Sequence, residues 1–142
     1  MSISRCIAAA ALSLAFAMPA ASQEITLKVH HFWPPGAMPP STLLVPWCDK
    51  IAKDSGNRLK CQIYPAMQLG GTPPQLIDQA KDGVADIVWT LPGYTAGRFP
   101  VMEVFELPFM SASAEATSQA AWDYYTQFGN KEFPGLKAIT RA

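Results

Sequence analysis

The chain has 142 residues, with 11 Lys and Arg against 11 Asp and Glu, and it is 49% hydrophobic, 11% aromatic and 15% charged. That length bounds it at one domain, and balanced charge without a basic block argues against a nucleic acid partner. The apolar and aromatic content suffices for a core, which excludes a disordered tail, while thirteen prolines and nine glycines exclude long uninterrupted helices and coiled coils.

Residues 1–22 carry the pattern of a secretory signal peptide. Met1–Arg5 holds one positive charge, Ile7–Met18 is a charge-free apolar run, and Ala20-Ala21-Ser22 offers small residues for cleavage after Ser22. The run is too short to span a bilayer, which takes about 20 apolar residues; the competing reading is a buried core helix. Arg5 is the only charged residue lost, so the remaining chain stays near neutral and is expected to be exported to the periplasm.

Ile25–Phe32 (ITLKVHHF) is rich in β-formers and stops at Trp33-Pro34-Pro35-Gly36, which predicts a first strand. Leu44, Trp47, Cys48, Ile51, Ala52 and Ser55 then follow the rhythm of an amphipathic helix starting near Ser41, with Pro46 expected to kink or delay it. Asp54-Ser55-Gly56-Asn57 ends that helix, and Leu59–Tyr64 (LKCQIY) alternates as a second strand. Cys6 leaves with the leader, so Cys48 on the helix and Cys61 on the strand remain as a pair. In an oxidising compartment this reads as a disulfide, with two unlinked buried thiols as the alternative.

Gly70-Gly71 leads to Thr72-Pro73-Pro74-Gln75, where Thr72 fits an N-cap, Pro73 the first helical position and Gln75 the reciprocal half of a capping box. That helix runs through Leu76, Ile77 and Ala80 to Asp82-Gly83. Ala85–Leu91 (ADIVWTL) is a nearly continuous apolar run, as expected of a strand buried on both faces, and Leu91-Pro92-Gly93-Tyr94 turns the chain. Ser113–Phe128 predicts a third helix with Glu115 in its first turn and with Thr117, Ala121, Tyr124, Tyr125 and Phe128 on one face. Leu136–Ile139 is expected to begin a fourth strand. Alternating strands and helices imply an α/β fold with a small, mainly parallel sheet flanked by helices, and one that reads as incomplete.

Catalytic or metal-binding patterns are weak. His30 and His31 are adjacent on a strand and point to opposite faces, so they cannot chelate one ion together. Gly70-Gly71 could bind an anion at a helix start but lacks the lysine and spacing of a phosphate loop, and leading into a helix is the better reading. Glu103 and Glu106 lie three apart among apolar residues without a second acid or base. No cofactor and no metal is expected. The aromatic residues are more informative. Phe32 and Trp33 follow the first strand, Trp89 and Tyr94 flank the end of the third, and in open α/β sheets ligands bind outside the carboxyl ends of strands. Together they would make an apolar-walled site for a small organic ligand.

The segments ITLKVHHFWPPG, WCDKIAKDSGNRLKCQIYPAMQLGG, DGVADIVWTLPGYTAGRFP and EVFELPFM resemble the amino-terminal domain of TRAP-type (tripartite ATP-independent periplasmic) solute-binding proteins, over about residues 24–135. The resemblance implies a two-lobed receptor that captures a small organic acid, a carboxylate, and delivers it to TRAP-type membrane permease subunits without catalysis. It implies ligand-facing positions at His31, Phe32 and Trp33 and at Trp89, Thr90, Leu91 and Tyr94.

Family members grip the ligand carboxylate with an arginine of the second lobe, which lies beyond residue 142; Arg141 has no match to that position, and Arg98 reads as a solvated loop charge. The expected organisation is a signal peptide at 1–22, an incomplete first lobe at 23–135 and the start of a crossover at 136–142. The runner-up is a small secreted α/β structural or protein-interaction module, and the third reading is a periplasmic enzyme fragment.

Overall fold

A computed structural model describes residues 23–110 and 113–139; the leader expected at 1–22 and Arg141 lie outside them. Three parallel strands, β1 (Ile25–His31), β2 (Leu59–Tyr64) and β3 (Ile87–Trp89), lie in the order β2-β1-β3. β1 pairs with β2 from Ile25 opposite Leu59 to His30 opposite Tyr64, and with β3 from Val29 opposite Ile87 to His31 opposite Trp89. The expected α/β fold is the one observed.

Strand alternation distributes the helices. Val29 is fully buried against Leu44 and Cys48, with Cys61, Ile63, Ile87 and Trp89 packed around them, so this face carries α1 (Val45–Asp54). His30 points the other way and meets Gln79 of α2 (Leu76–Lys81). The crossover after β1 leads to β2 on one side, and the crossover after β2 passes to β3 on the other. The crevice at the carboxyl ends of β1 and β3 is therefore the topological switch point of the sheet.

The first helix begins earlier than Ser41. Winding starts at Met38 and passes through a wide π turn over Pro40–Leu44 before α1 proper. Pro39 and Pro40 favour helix initiation with their preset φ, and the Ser41 and Thr42 hydroxyls both donate to the Met38 carbonyl, at 3.0 and 2.7 Å. The wide turn accommodates Pro46, which has no N–H to donate. The helix stops where expected: Gly56 and Asn57 adopt φ of 61° and 63°, and the Asn57 N–H returns to the Ala52 carbonyl at 2.7 Å. Cys48 and Cys61 are disulfide-bonded, with Cα atoms 5.6 Å apart, which ties α1 to β2. Before α2 the capping box forms, with the Gln75 carboxamide oxygen accepting from the Thr72 N–H at 2.8 Å.

β3 is shorter than the run Ala85–Leu91, and its residues are half-buried rather than covered on both faces. It pairs only with β1 among the described strands, and β1 ends opposite Trp89, so Thr90 and Leu91 have no ladder to join. α3 (Ala114–Tyr124) is capped by Ser113, whose Oγ accepts from the Ala116 N–H at 3.1 Å. It runs into a second π turn, Tyr125–Gly129. Phe128, within that turn, is 47% exposed but still meets Tyr124 of the expected face, with ring centroids 5.4 Å apart. Residues 136–139 form no strand: the Ala138 N–H is bonded to the Tyr125 hydroxyl at 2.7 Å instead of to a sheet edge.

Candidate functional site at the switch point

Phe32 and Trp33 leave the end of β1, and Trp89 closes β3 beside them. Trp33 and Trp89 have ring centroids 6.3 Å apart, Phe32 stacks on Trp33 at 4.9 Å, and Tyr94 meets Phe32 edge-on at 5.3 Å. These separations lie in the range where aromatic pairs attract. The four aromatics singled out in the sequence thus form one continuous chain, with Phe32, Trp33 and Trp89 half-buried and Tyr94 exposed. Thr90, half-buried, and Leu91, exposed, lie on the link between Trp89 and the turn Pro92–Thr95. A cavity of about 220 Å³ lined by Gln23, Ile25, Ser55, Arg58 and Leu59 opens at the far end of the sheet and contains none of these residues.

Backbone hydrogen bonds fix the cluster from two sides. After β2, Ala66 and Met67 adopt left-handed φ of 49° and 59°. This strained geometry aims their N–H groups at the carbonyls of Trp33 (2.8 Å) and His31 (3.1 Å). On the other side, Glu106 accepts from the Gly93 N–H through both oxygens, at 3.1 and 3.2 Å, and so holds the turn that bears Tyr94. Glu103 accepts from the N–H groups of Gly97 (2.8 Å) and Phe99 (3.3 Å), and Glu132 from those of Val101 (2.9 Å) and Met102 (3.2 Å). Glu103 and Glu106 are therefore bonded to loop amides. The sequence signal for this was the placement of acids within a Gly- and Pro-rich loop, whose unpaired N–H groups need acceptors.

The two histidines have different surroundings. His30 is fully buried and satisfied: Nδ1 lies 2.7 Å from Gln79 Oε1, and Nε2 accepts from the Leu69 N–H at 3.4 Å. Gln79 also donates to the Gly70 carbonyl at 2.9 Å. At Gly71, φ is +81° and a Cβ would strike the Gln79 side chain, so Gly70-Gly71 serves the approach to α2 rather than an anion. His31 is 1% exposed, and neither ring nitrogen makes a well-formed hydrogen bond, its polar neighbour being the Trp33 backbone. Burial is the largest influence holding its pKa below the ordinary histidine value, followed by the charge of neighbouring His30, with the Trp33 backbone opposing.

Arg98 is not a merely solvated charge. It pairs with Asp78 at 2.6 Å and lies over the Phe99 ring at 5.7 Å. The hydrogen bond from Arg98 holds the Asp78 carboxyl below the usual carboxylate range. Among the described residues, no group of His, Cys, Asp and Glu is placed to hold a metal ion, and no helix is long and apolar enough to cross a membrane.

A three-stranded parallel sheet has its aromatic chain at the switch point, the place where ligands bind in open α/β sheets generally. Residues 29–135 match the model of the family described as bacterial extracellular solute-binding protein, family 7 (DctP), and the chain belongs to that family of solute-binding receptors. A TRAP solute-binding protein from Rhodoferax ferrireducens, solved with copurified benzoate, is 53% identical with a TM-score of 0.77, over 82% of this chain and 36% of that one. A marine metagenome relative, described as specific for aromatic acid ligands and solved with 3-hydroxybenzoate, is 51% identical with a TM-score of 0.79, over 83% and 37%. A Bordetella bronchiseptica TRAP periplasmic solute-binding protein with bound mandelate is 27% identical with a TM-score of 0.68, over 80% and 36%. The Comamonas testosteroni protein described as outer membrane transporter protein TsaT is 26% identical over 125 residues, 88% of this chain and 36% of its own. The chain thus spans a little over one third of the length of these relatives.

Proposed function

We propose that this chain is the aromatic-walled part of a periplasmic receptor of a TRAP-type transporter, binding a small aromatic acid for delivery to membrane permease subunits. The observation that carries the reading is the chain Trp89–Trp33–Phe32–Tyr94 at the switch point. It offers flat apolar faces for a ring, with His31, Thr90 and Leu91 at its margin. Relatives at 51–53% identity were solved with benzoate and 3-hydroxybenzoate, which supports an aromatic rather than an aliphatic acid. The role is one of capture and not of turnover, since the carboxylates Glu103 and Glu106 are engaged with backbone amides. A cleaved leader at 1–22, a first lobe at 23–135 and a crossover at 136–142 belong to the same proposal.

The test is a heteronuclear NMR titration of the nitrogen-15-labelled chain with benzoate. The indole signals of Trp33 and Trp89 are expected to move, while those of Trp47 and Trp122 stay in place. Uniform movement of all four, or none at Trp33 and Trp89, rejects this site.

A further inference from the structure

Three buried side-chain polar atoms among the described residues have no hydrogen-bond partner: Nδ1 and Nε2 of His31, and Nε1 of Trp33. They belong to two residues, two positions apart, at the end of β1, where His31 lies opposite Trp89 at the margin of the aromatic chain. Orphaned buried polar atoms are rare because each forgoes its bonds to water, and they concentrate where a ligand or ordered water completes them. Here the indole can only donate, while a neutral imidazole has one donor and one acceptor.

We infer that His31 and Trp33 form a polar subsite that reads a ring hydroxyl, so that the preferred ligand is a hydroxylated aromatic acid. The inference rests on the aromatic-acid reading above and specifies its substrate class. A hydroxyl accepts from the Trp33 N–H and donates to the unprotonated imidazole nitrogen, while the protonated ring nitrogen is left to the Trp33 backbone. A carboxylate suits this position poorly. It would be buried among aromatic rings without either described arginine as counter-charge, because Arg98 is held by Asp78 and Arg58 lies at the far end of the sheet. Burial also disfavours the charged imidazole, so His31 is a poor counter-charge for a carboxylate. The relatives were solved with both plain and hydroxylated acids, so likeness alone does not choose between them.

The experiment titrates the chain with benzoate, 3-fluorobenzoate, 3-hydroxybenzoate and 4-hydroxybenzoate, following the Trp33 indole N–H by NMR. At least one hydroxybenzoate is expected to bind roughly three- to tenfold tighter than benzoate, the range of one net hydrogen bond. Trp33→Phe, which keeps an aromatic face but removes the donor, is expected to bring that ratio close to one. Equal affinity for all four ligands, or a ratio that persists in Trp33→Phe, overturns the hydroxyl subsite and leaves the aromatic reading standing. No response of Trp33 and Trp89 to any of the four overturns both. The ligand comparison on the unmodified chain decides the matter even where the variant does not fold.

Discussion

The carboxylate of Glu106 straddles the backbone N–H of Gly93, thirteen positions earlier, and this contact holds the turn that brings Tyr94 against Phe32. A Cβ at Gly93 would run into that carboxylate, so a larger residue there would require Glu106 to move. Glu106→Ala is expected to lower stability by about 1 kcal/mol, the scale of a partly exposed hydrogen bond, and to broaden the Tyr94 resonances. Glu106→Gln, which keeps an acceptor, should recover most of both. Urea denaturation and NMR line widths check this, and an Ala variant with unaltered Tyr94 signals would remove Glu106 from its positioning role.

The bond between Cys48 and Cys61 closes a loop of 13 residues between α1 and β2. In the chain-entropy account such a loop contributes about 3 kcal/mol. Non-reduced peptide mapping of exported protein should find the two cysteines linked. The Cys48→Ala, Cys61→Ala double variant should lose stability on that scale, and reductant should affect only the parent. Two free thiols in the exported protein would contradict the pairing.

The depressed pKa of His31 sets the sign of a pH effect. The folded state prefers the neutral ring, so the unfolded chain binds a proton first as pH falls. The stabilisation is complete above the unfolded value of about 6.5. It declines as pH drops from there toward the lower folded value and then levels off. Asp78, also depressed, acts only in a separate window at more acid pH, where its Arg98 pair is lost below the carboxylate range. Urea midpoints between about pH 8 and pH 5 should fall below ~6.5, and the His31 ring should titrate below its ordinary value by NMR. A ring that titrates at or above that value refutes the burial argument.

Carboxylate affinity should be weak for the described residues acting alone. Arg98 is committed to Asp78, and Arg58 donates to the Ser55 carbonyl away from the aromatic chain. Aromatic stacking without a charged grip is expected to give a dissociation constant no tighter than about millimolar, near −4 kcal/mol. Calorimetric titration of the chain with benzoate measures this directly, and micromolar binding would mean that the grip lies within these residues.

The parts of the fold set by local chemistry were legible in the sequence. Thr72-Pro73-Pro74-Gln75 signalled a capped helix start, Cys48 and Cys61 a bridge, and Phe32-Trp33 and Trp89 their convergence, because parallel neighbours end side by side. The parts governed by context were not. Pro46 was expected to delay a helix, but a π turn upstream absorbed it. The length of β3 depended on where β1 stops, and no periodicity in Ala85–Leu91 carries that information. The roles of Glu103, Glu106, Gln79, Ala66 and Met67 required knowing which backbone amides the loops would leave unpaired.

The alternation along β1 bears on which changes in chain length the protein can tolerate. His30 is satisfied by Gln79 and Leu69 on one face, while Val29 packs under α1 on the other and His31 follows in the same phase. Inserting or deleting a single residue within β1 would exchange the two imidazoles between faces. A deletion would deliver His31 to the Gln79 clamp, an insertion would carry His30 to the place of His31, and either would turn Val29 out of the core. The exposed Gly56-Asn57 turn has no such phase to keep, so length variation should accumulate there and be purged from the seven residues of the first strand.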